Sequence, residues 1–422
     1  MYGLVGEKLA HSYSGIIHEK FGYDYGLFEI PKQDFASFIR ARDFDGLNVT
    51  IPYKRDVIPL LDRLEPAAEK IGAVNTLYFD GDKLVGANTD YTGFLYMADR
   101  AGVSFGGKNV LLLGTGGASL MVQQALTDSG AGSITVASRR DSAAVKPGAK
   151  CVTYRELGSD SELSGSIDII VNATPVGTYP DCPASAVDLS DFPHCESVLD
   201  LIYNPFRTGL LLQAERRGLK YSNGLPMLVA QAAAASELWT GEERMSSVPA
   251  ITAELAGSVK NIVIAGMPGS GKSSVGRAAA EMLGRSFIDT DDEIEKRTGR
   301  SPAMIITEDG EPAFRRIESE VLRECCRERG LVIATGGGAV TVPENIDYMR
   351  QNGDVVYLAR DVSRLASKGR PLSGGIEKRK ELLKKRLPMY REASDLTVEN
   401  NGSIESAAAE IIARTARGSA GA

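Results

Sequence analysis

The chain has 422 residues, 43% of them hydrophobic and 24% charged, which is typical of a soluble globular protein too long for one ordinary core. Its net charge of −7 argues against a nucleic-acid or anionic-membrane partner, because there is no overall positive field to attract one. No apolar segment approaches membrane-spanning length. The spacing of the five cysteines suits neither a metal site nor a disulfide framework, and this cysteine usage favours a reducing cytoplasm.

Short apolar runs alternate with helical patterns from Met1 to about Asp90, and Gly46–Ile51 is a clear example of such a run. This alternation predicts an N-terminal α/β domain with its own sheet. Four further apolar runs follow, with a glycine turn and helical segments between them, at residues 110–113, 133–137, 168–172 and 197–201. They predict a parallel sheet. The alanine-rich stretch Ala230–Leu238 predicts a helix that packs back against the first domain.

The glycine turn after the first of these runs resembles a dinucleotide fingerprint. Gly114 would allow the tight turn, and Gly116 would let the backbone approach a pyrophosphate. The small side chain of Ala118 would add little bulk at the start of the helix. A plain strand–turn–helix is the alternative for such a motif in isolation. The cofactor contacts expected from this Rossmann domain are Gly114, Thr115, Gly116, Gly117, Ala118, Ser138, Arg139 and Arg140. Two arginines and no carboxylate after the second strand favour NADP(H).

A polar stretch at residues 241–247 and a brief helix at Pro249–Ala256 lead to an apolar strand that begins near Lys260. The run Gly266–Ser273 follows that strand and precedes a helical segment, so it predicts a P-loop that holds a nucleoside triphosphate. Lys272 can neutralise phosphate charge, and the hydroxyl of Ser273 can ligate Mg²⁺. The ATP contacts expected here are Gly269, Ser270, Gly271, Lys272, Ser273 and Ser274.

Several short polar segments accompany the strands of the N-terminal half, and each of them alone could be an ordinary helix cap or turn. They lie at residues 11–14, 48–54, 72–76, 86–90 and 224–231. In this order and spacing they resemble shikimate dehydrogenase over about residues 2–256. The family often has Asn-Arg-Thr where this chain has Ser138-Arg139-Arg140, so the strength of the NADP preference stays open.

This resemblance implies that Lys54 and Asp90 form the catalytic pair. Reduction of a ketone needs hydride at the carbon and a proton or positive charge at the developing alkoxide, which a lysine ammonium beside a carboxylate can supply. The shikimate contacts it implies are Ser12, Ser14, Thr50, Lys54, Asn75, Asp90, Tyr203 and Gln231. Quinate as a related substrate stays open. Gly15 and Leu120 depart from the family pattern without removing a reactive group.

A second series of motifs follows the P-loop, at residues 287–291, 314–318, 335–340, 370–372 and 386–390. Together they look like shikimate kinase over about residues 261–413. The resemblance implies that Asp291 orients the attacking hydroxyl, that Mg²⁺ is held by Ser273 and through water by Asp289, and that Arg370 is a catalytic residue on a short lid over ATP. The shikimate contacts it implies are Asp291, Arg315, Gly336, Gly337, Gly338 and Arg386.

We therefore expect an α/β protein with an N-terminal substrate domain, a Rossmann NADP-binding domain and a P-loop mononucleotide-kinase-like domain. The expected bounds are 1–256 for the dehydrogenase half, with 101–224 as its Rossmann part and 1–100 and 225–256 as its substrate part, and 260–422 for the kinase half. The two activities would be consecutive: NADPH-dependent reduction of 3-dehydroshikimate, then ATP-dependent phosphorylation of shikimate. A half that only binds ligand is the alternative, and a homo-oligomer is not excluded.

Overall fold

The structure is a computed structural model that describes residues 1–9, 13–140, 145–180, 182–365 and 375–420. Its contacts group the chain into two compact units that interleave along the sequence. The first unit comprises Met1–Pro175, Ala186–Tyr203 and Gln213–Thr252, and the second comprises Val176–Ser185, Asn204–Leu212 and Ala253–Ala422. The predicted domain boundaries stay a prediction.

The N-terminal part of the first unit has its own six-stranded mixed sheet, in the order β2-β1-β3-β5-β6-β4. Its strands are β1 (Tyr2–Gly6), β2 (Tyr25–Glu29), β3 (Gly46–Val49), β4 (Arg63–Leu64), β5 (Thr76–Asp80) and β6 (Lys83–Ala87), and its helices are α1 (Ser14–Glu19), α2 (Lys32–Ala41), α3 (Pro66–Ile71) and α4 (Thr89–Arg100). Strands β1, β2 and β3 are parallel, so their carboxyl ends meet at one edge. The separate N-terminal sheet is thus confirmed.

The second sheet of this unit has six strands, all parallel, in the order β12-β11-β10-β7-β8-β9. Its strands are β7 (Asn109–Leu113), β8 (Ser133–Ser138), β9 (Ala149–Thr153), β10 (Ile169–Asn172), β11 (Ser197–Asp200) and β12 (Lys220–Ser222), and the helices along this stretch are α5 (Ser119–Asp128), α6 (Tyr154–Ser159), α7 (Ser161–Ser166) and α8 (Gly209–Arg216). The four predicted strands are all present. The strand order reverses beside β7, which places the glycine turn at the switch point where open α/β sheets bind ligands.

The alanine-rich helix α9 (Leu225–Thr240) packs against α4, as expected. Gly93 makes this approach possible, because a Cβ there would lie 2.5 Å from the carbonyl oxygen of Met227. The next helix, α10 (Val248–Val259), is longer at both ends than the predicted brief helix.

The second unit contains a five-stranded parallel sheet in the order β14-β15-β13-β16-β17. Its strands are β13 (Asn261–Ala265), β14 (Phe287–Asp289), β15 (Val332–Ala334), β16 (Gly353–Ala359) and β17 (Leu396–Glu399), and its helices are α11 (Lys272–Leu283), α12 (Thr290–Thr298), α13 (Pro302–Asp309), α14 (Glu311–Arg327), α15 (Pro343–Asn352), α16 (Ile376–Ala393) and α17 (Ile404–Ala420). Strand β13 is central and fully buried, so the P-loop leaves the middle of the sheet. Across the described ranges, no helix combines the length and apolar character needed to cross a membrane.

Candidate active sites

The first unit holds a pocket at the carboxyl ends of β1 and β3, beside α4 and α9. Seven predicted substrate contacts line it: Ser14, Thr50, Lys54, Asn75, Asp90, Tyr203 and Gln231. The eighth, Ser12, lies outside the described residues. Residues that are far apart in sequence thus reach one cavity because parallel strand ends and a returning helix converge there.

Lys54 and Asp90 form an ion pair in this pocket. The Nζ of Lys54 lies 2.5 Å from Oδ2 of Asp90, and the two side chains are 29% and 21% exposed. Asp90 sits in the first turn of α4, whose N-cap Asn88 accepts a hydrogen bond from the backbone N–H of Tyr91 at 3.3 Å. The pair therefore presents an oriented ammonium that can donate a proton to an oxygen in the pocket.

The side chain of Asn75 is fixed on both of its polar atoms. The backbone N–H of Thr89 donates to Oδ1 of Asn75 at 2.7 Å, and Nδ2 of Asn75 donates to Oγ1 of Thr89 at 3.1 Å. These bonds tie the end of the Asn75 turn to the start of α4. A rigid amide of this kind can distinguish the positions of ring hydroxyls.

Asn48 also lines the pocket, and our assignment of roles from the motifs missed it. Its Nδ2 donates to the carbonyl of Asn75 at 3.3 Å, and its Oδ1 accepts from the hydroxyl of Tyr25 at 2.7 Å. A signal existed, because Asn48 opens the polar segment that contains Thr50 and Lys54. Lys8, Leu9 and Leu228, which also line the pocket, carried no such signal.

Tyr25, whose hydroxyl donates to Asn48, belongs to a cluster of aromatic rings around His18. The imidazole stacks on the ring of Tyr25 with centroids 4.1 Å apart, and its Nδ1 lies 2.7 Å from the hydroxyl of Tyr23. Burial lowers the pKa of His18 from 6.5 to about 3, an effect that the nearby side chain of Asn48 only partly opposes. The imidazole is therefore neutral at physiological pH.

The glycine turn after β7 has the geometry that a dinucleotide needs. Gly114 has a φ of +97°, and a Cβ there would lie 2.6 Å from Cγ2 of Thr174, so only glycine fits. Apart from each glycine and its two chain neighbours, no atom of the described chain lies within 4 Å of the position that a Cβ would take on Gly116 or Gly117. This open space above the start of α5 fits a pyrophosphate at a helix N-terminus.

The segment after β8 fits the phosphate of NADP(H). Ser138 is buried, and its Oγ accepts a hydrogen bond from the backbone N–H of Arg140 at 3.1 Å. Arg139 and Arg140 are exposed. The turn therefore offers two guanidinium groups to solvent, at the place where a carboxylate would favour NAD.

The second unit holds another pocket, at the carboxyl end of its sheet. The predicted residues that line it are Lys272, Ser273, Asp289, Asp291, Arg315, Gly336, Gly337, Gly338 and Arg386. Gly269, Ser270, Gly271 and Ser274 occupy the P-loop and the first turn of α11. Arg370 lies outside the described residues.

The P-loop has the backbone conformation of a phosphate cradle. Gly269 and Gly271 have φ values of +87° and +95°, which turn the backbone into a cradle. The Nζ of Lys272 donates to the carbonyls of Gly266 at 2.9 Å and Met267 at 3.1 Å. The Oγ of Ser270 is buried without a hydrogen-bond partner in the described chain. The left-handed glycines and Lys272 are the features of this loop that suit a phosphate.

Two oxygen-bearing side chains beside the cradle fit a magnesium ion. The Oγ of Ser273 donates to Oδ2 of Asp289 at 2.6 Å, while Oδ1 of Asp289 accepts from the backbone N–H of Asp291 at 3.0 Å. Hydroxyl and carboxylate oxygens are donors that Mg²⁺ prefers, and it usually keeps several waters beside one or two carboxylates. The donor chemistry therefore fits this ion.

The three glycines after β15 leave room for charged side chains. A Cβ on Gly338 would lie 2.1 Å from Nη2 of Arg315, and one on Gly336 would lie 2.2 Å from Oε1 of Glu318. The carbonyl of Gly337 accepts from Nη1 of Arg386 at 3.0 Å. Arg315 and Arg386, both predicted to contact shikimate, thus lie in one pocket beside the glycine turn.

Glu318 is a pocket residue to which the motif reading assigned no role. Its carboxylate is 1% exposed and lies 2.6 Å from Nη1 of Arg315. Burial raises the pKa of Glu318, and Arg315 partly offsets that effect. The spacing of three residues on α14 could have suggested the pair. The wall formed by Ser301, Pro302, Ala303 and Ile306 had no motif to reveal it.

Three family models match the chain. The model described as shikimate kinase matches residues 268–416. The model of the shikimate dehydrogenase substrate binding domain matches residues 4–77, and that of the shikimate 5'-dehydrogenase C-terminal domain matches residues 224–247. The models therefore match separate parts of the two halves.

Individual relatives and solved structures that resemble the N-terminal half are also shikimate dehydrogenases. The NADP(+) shikimate dehydrogenase of Clostridium beijerinckii is 38% identical over 250 residues, which cover 56% of this chain and 91% of that protein. A shikimate 5-dehydrogenase structure from Listeria monocytogenes, in complex with shikimate and NAD, has a TM-score of 0.54 and 30% identity, covering 59% of this chain and 95% of that one. The Thermus thermophilus enzyme in complex with NADP(H) and shikimate has a TM-score of 0.51 and 33% identity, covering 58% of this chain and 95% of that one.

Proposed function

The chain is a bifunctional shikimate-pathway enzyme that belongs to the shikimate dehydrogenase family and carries a shikimate kinase domain, and from this premise we propose that it catalyses two consecutive steps. The first step reduces 3-dehydroshikimate to shikimate with NADPH. The second step phosphorylates the 3-hydroxyl of shikimate with ATP and Mg²⁺. The observation that carries the proposal is the presence of two separate pockets, each lined by the reactive groups that one of these reactions needs.

In the dehydrogenase pocket, Lys54 acts on the carbonyl oxygen of the substrate. Its ammonium stabilises the developing alkoxide and delivers the proton, while Asp90 keeps the ammonium oriented. The reduced nicotinamide, when bound, supplies the hydride. Asn75 and Ser14 hold a ring hydroxyl and the carboxylate, so that the carbonyl stays beside Lys54.

In the kinase pocket, Asp291 orients the 3-hydroxyl of shikimate for attack. Arg315 and Arg386 bind the carboxylate, which fixes the ring against the glycine turn. Lys272 neutralises charge on the transferring phosphoryl group, because phosphoryl transfer depends mainly on alignment and charge stabilisation. Mg²⁺, held through Ser273 and Asp289, supplies further neutralisation of phosphate charge when bound.

A coupled assay on the intact chain tests the proposal. The purified protein receives 3-dehydroshikimate, NADPH, ATP and Mg²⁺, and both NADPH loss and shikimate 3-phosphate are followed. Consumption of NADPH with formation of the phosphate is the expected result. Accumulation of shikimate without phosphate would contradict the kinase step, and unchanged NADPH would contradict the reductase step.

Two variants separate the sites. Lys54→Ala should reduce dehydrogenase turnover at least about 100-fold and leave kinase turnover unchanged, because it removes the proton donor. Lys272→Ala should do the reverse, since it removes a charge that stabilises the phosphoryl group. Lys32→Ala is the matched control, because this lysine is 76% exposed. Equal loss of both activities in either test variant would contradict separate sites.

A further inference from the structure

Arg360 reaches the P-loop from a neighbouring strand, although it belongs to none of the motifs discussed above. It follows β16 directly, and its Nη1 lies 3.4 Å from the position that a Cβ would take on Gly271. Gly271 is the N-cap of α11 and immediately precedes Lys272. The guanidinium therefore lies beside the phosphate cradle.

This guanidinium lacks a partner among the described residues. Its Nε is buried and makes no hydrogen bond there, and no carboxylate of the described chain comes within the 4.0 Å of an ion pair. The adjacent Asp361 pairs with Arg364 instead, at 4.0 Å. An unpaired cation beside a helix N-terminus and a second cation is electrostatically unfavourable, because the helix dipole is positive at that end. An anion bound here would interact favourably with both cations and with the positive end of the helix dipole.

The backbone around Arg360 is fastened to the P-loop. The Nδ2 of Asn400, at the end of β17, donates to the carbonyl of Ser270 at 2.7 Å. The neighbouring Asn401 accepts at Oδ1 from the backbone N–H of Asp361 at 3.0 Å. These two bonds link the loops after β16 and β17 to each other and to the cradle. The backbone that carries Arg360 is thereby connected to the P-loop through hydrogen bonds.

We propose that Arg360 is a further nucleotide-binding residue, whose guanidinium donates to a phosphate oxygen of the bound triphosphate. It adds a fixed cation to Lys272, from the strand side of the loop. A guanidinium is suited to this role because it stays charged and donates several hydrogen bonds to phosphate oxygens. The inference rests on the proposed ATP site but names a contact that the P-loop motif does not include.

Ligand binding to the full chain tests the proposal without relying on turnover. Inorganic tripolyphosphate and adenosine are titrated separately into the unaltered chain and into Arg360→Ala, Arg360→Gln and Arg360→Lys, with calorimetric detection. Loss of the contact should weaken tripolyphosphate binding by about tenfold in the Ala and Gln variants, with partial recovery in Lys. Adenosine binding should not change. Arg414→Ala is the control, because this arginine is exposed and pairs with Glu410 at 3.2 Å.

Three results would overturn the inference. Unchanged tripolyphosphate affinity in both Ala and Gln variants would remove the phosphate contact. Weaker adenosine binding with unchanged tripolyphosphate binding would assign the side chain to the base. Equal loss for both ligands in all three variants would assign it to support of the fold. Shikimate phosphorylation by the unaltered chain is measured in parallel, so that failure of the kinase activity is recognised separately from failure of the Arg360 contact.

Discussion

The buried histidine of the dehydrogenase unit should make that unit sensitive to acid. His18 is 0% exposed, and burial lowers the pKa of its imidazole from 6.5 to about 3. Since the folded-state pKa is the lower one, protons bind preferentially to the unfolded chain. The stability due to neutral His18 is present above pH 6.5 and is lost progressively as the pH falls toward 3.

The size of the effect follows from this difference. Between pH 6.5 and pH 5 the unfolded histidine takes up its proton while the folded one does not, which removes about 2 kcal/mol from the free energy of unfolding at about 1.36 kcal/mol per pH unit. His18→Phe keeps an aromatic ring against Tyr25 but cannot titrate. We therefore expect the loss of stability between pH 8 and pH 5 to be smaller by about 2 kcal/mol in this variant.

The chain contains one tryptophan that reports on this region. Trp239 stacks on His18 with ring centroids 5.3 Å apart. Its fluorescence during urea unfolding therefore reports the unfolding of the unit that contains the histidine. His194→Gln is the matched control, because it removes an exposed histidine and leaves His18 in place. An equal loss of stability between pH 8 and pH 5 in His18→Phe and in the unaltered chain would refute the argument.

Three further predictions concern the ligands. Gly338→Ala should raise the kinase KM for shikimate about tenfold or more and spare the dehydrogenase, since its Cβ would displace Arg315; unchanged steady-state kinetics would contradict this. Replacing Arg139 and Arg140 together by Ala should raise the dehydrogenase KM for NADPH about tenfold and leave that for NADH unchanged, and a parallel rise for both cofactors would exclude a phosphate contact. Chelation of Mg²⁺ by EDTA should abolish phosphorylation and leave reduction intact, and persistent phosphorylation would refute the metal role of Ser273.

Local sequence was sufficient for elements whose shape depends on neighbouring residues. Apolar runs bounded by glycine predicted the parallel strands of the Rossmann part, because a strand buried on both faces needs an unbroken apolar stretch. The glycine spacing predicted both phosphate loops, and the positive φ values at Gly114 and Gly271 agree with that reading. The bounds of α10 were less accurate, because its ends are set by packing.

The pockets needed contacts between distant parts of the chain. Motif order predicted which side chains would be important, but their roles in catalysis stay predictions, and Ser12 and Arg370 lie outside the described residues. Asn48 and Glu318 join their sites through hydrogen bonds that periodicity does not encode.

Sequence by itself determined the family motifs, the order of the two halves and the conformations that only glycine adopts, because each of these is encoded within a short stretch of chain. Only the tertiary structure decided which polar groups lose their water. Three features depend on residues from separate strands and helices. They are the burial of His18, the buried ion pair of Glu318 with Arg315, and the placement of Arg360 beside Gly271. Desolvation acts through space, so its consequences for charge follow from the packing of the folded chain.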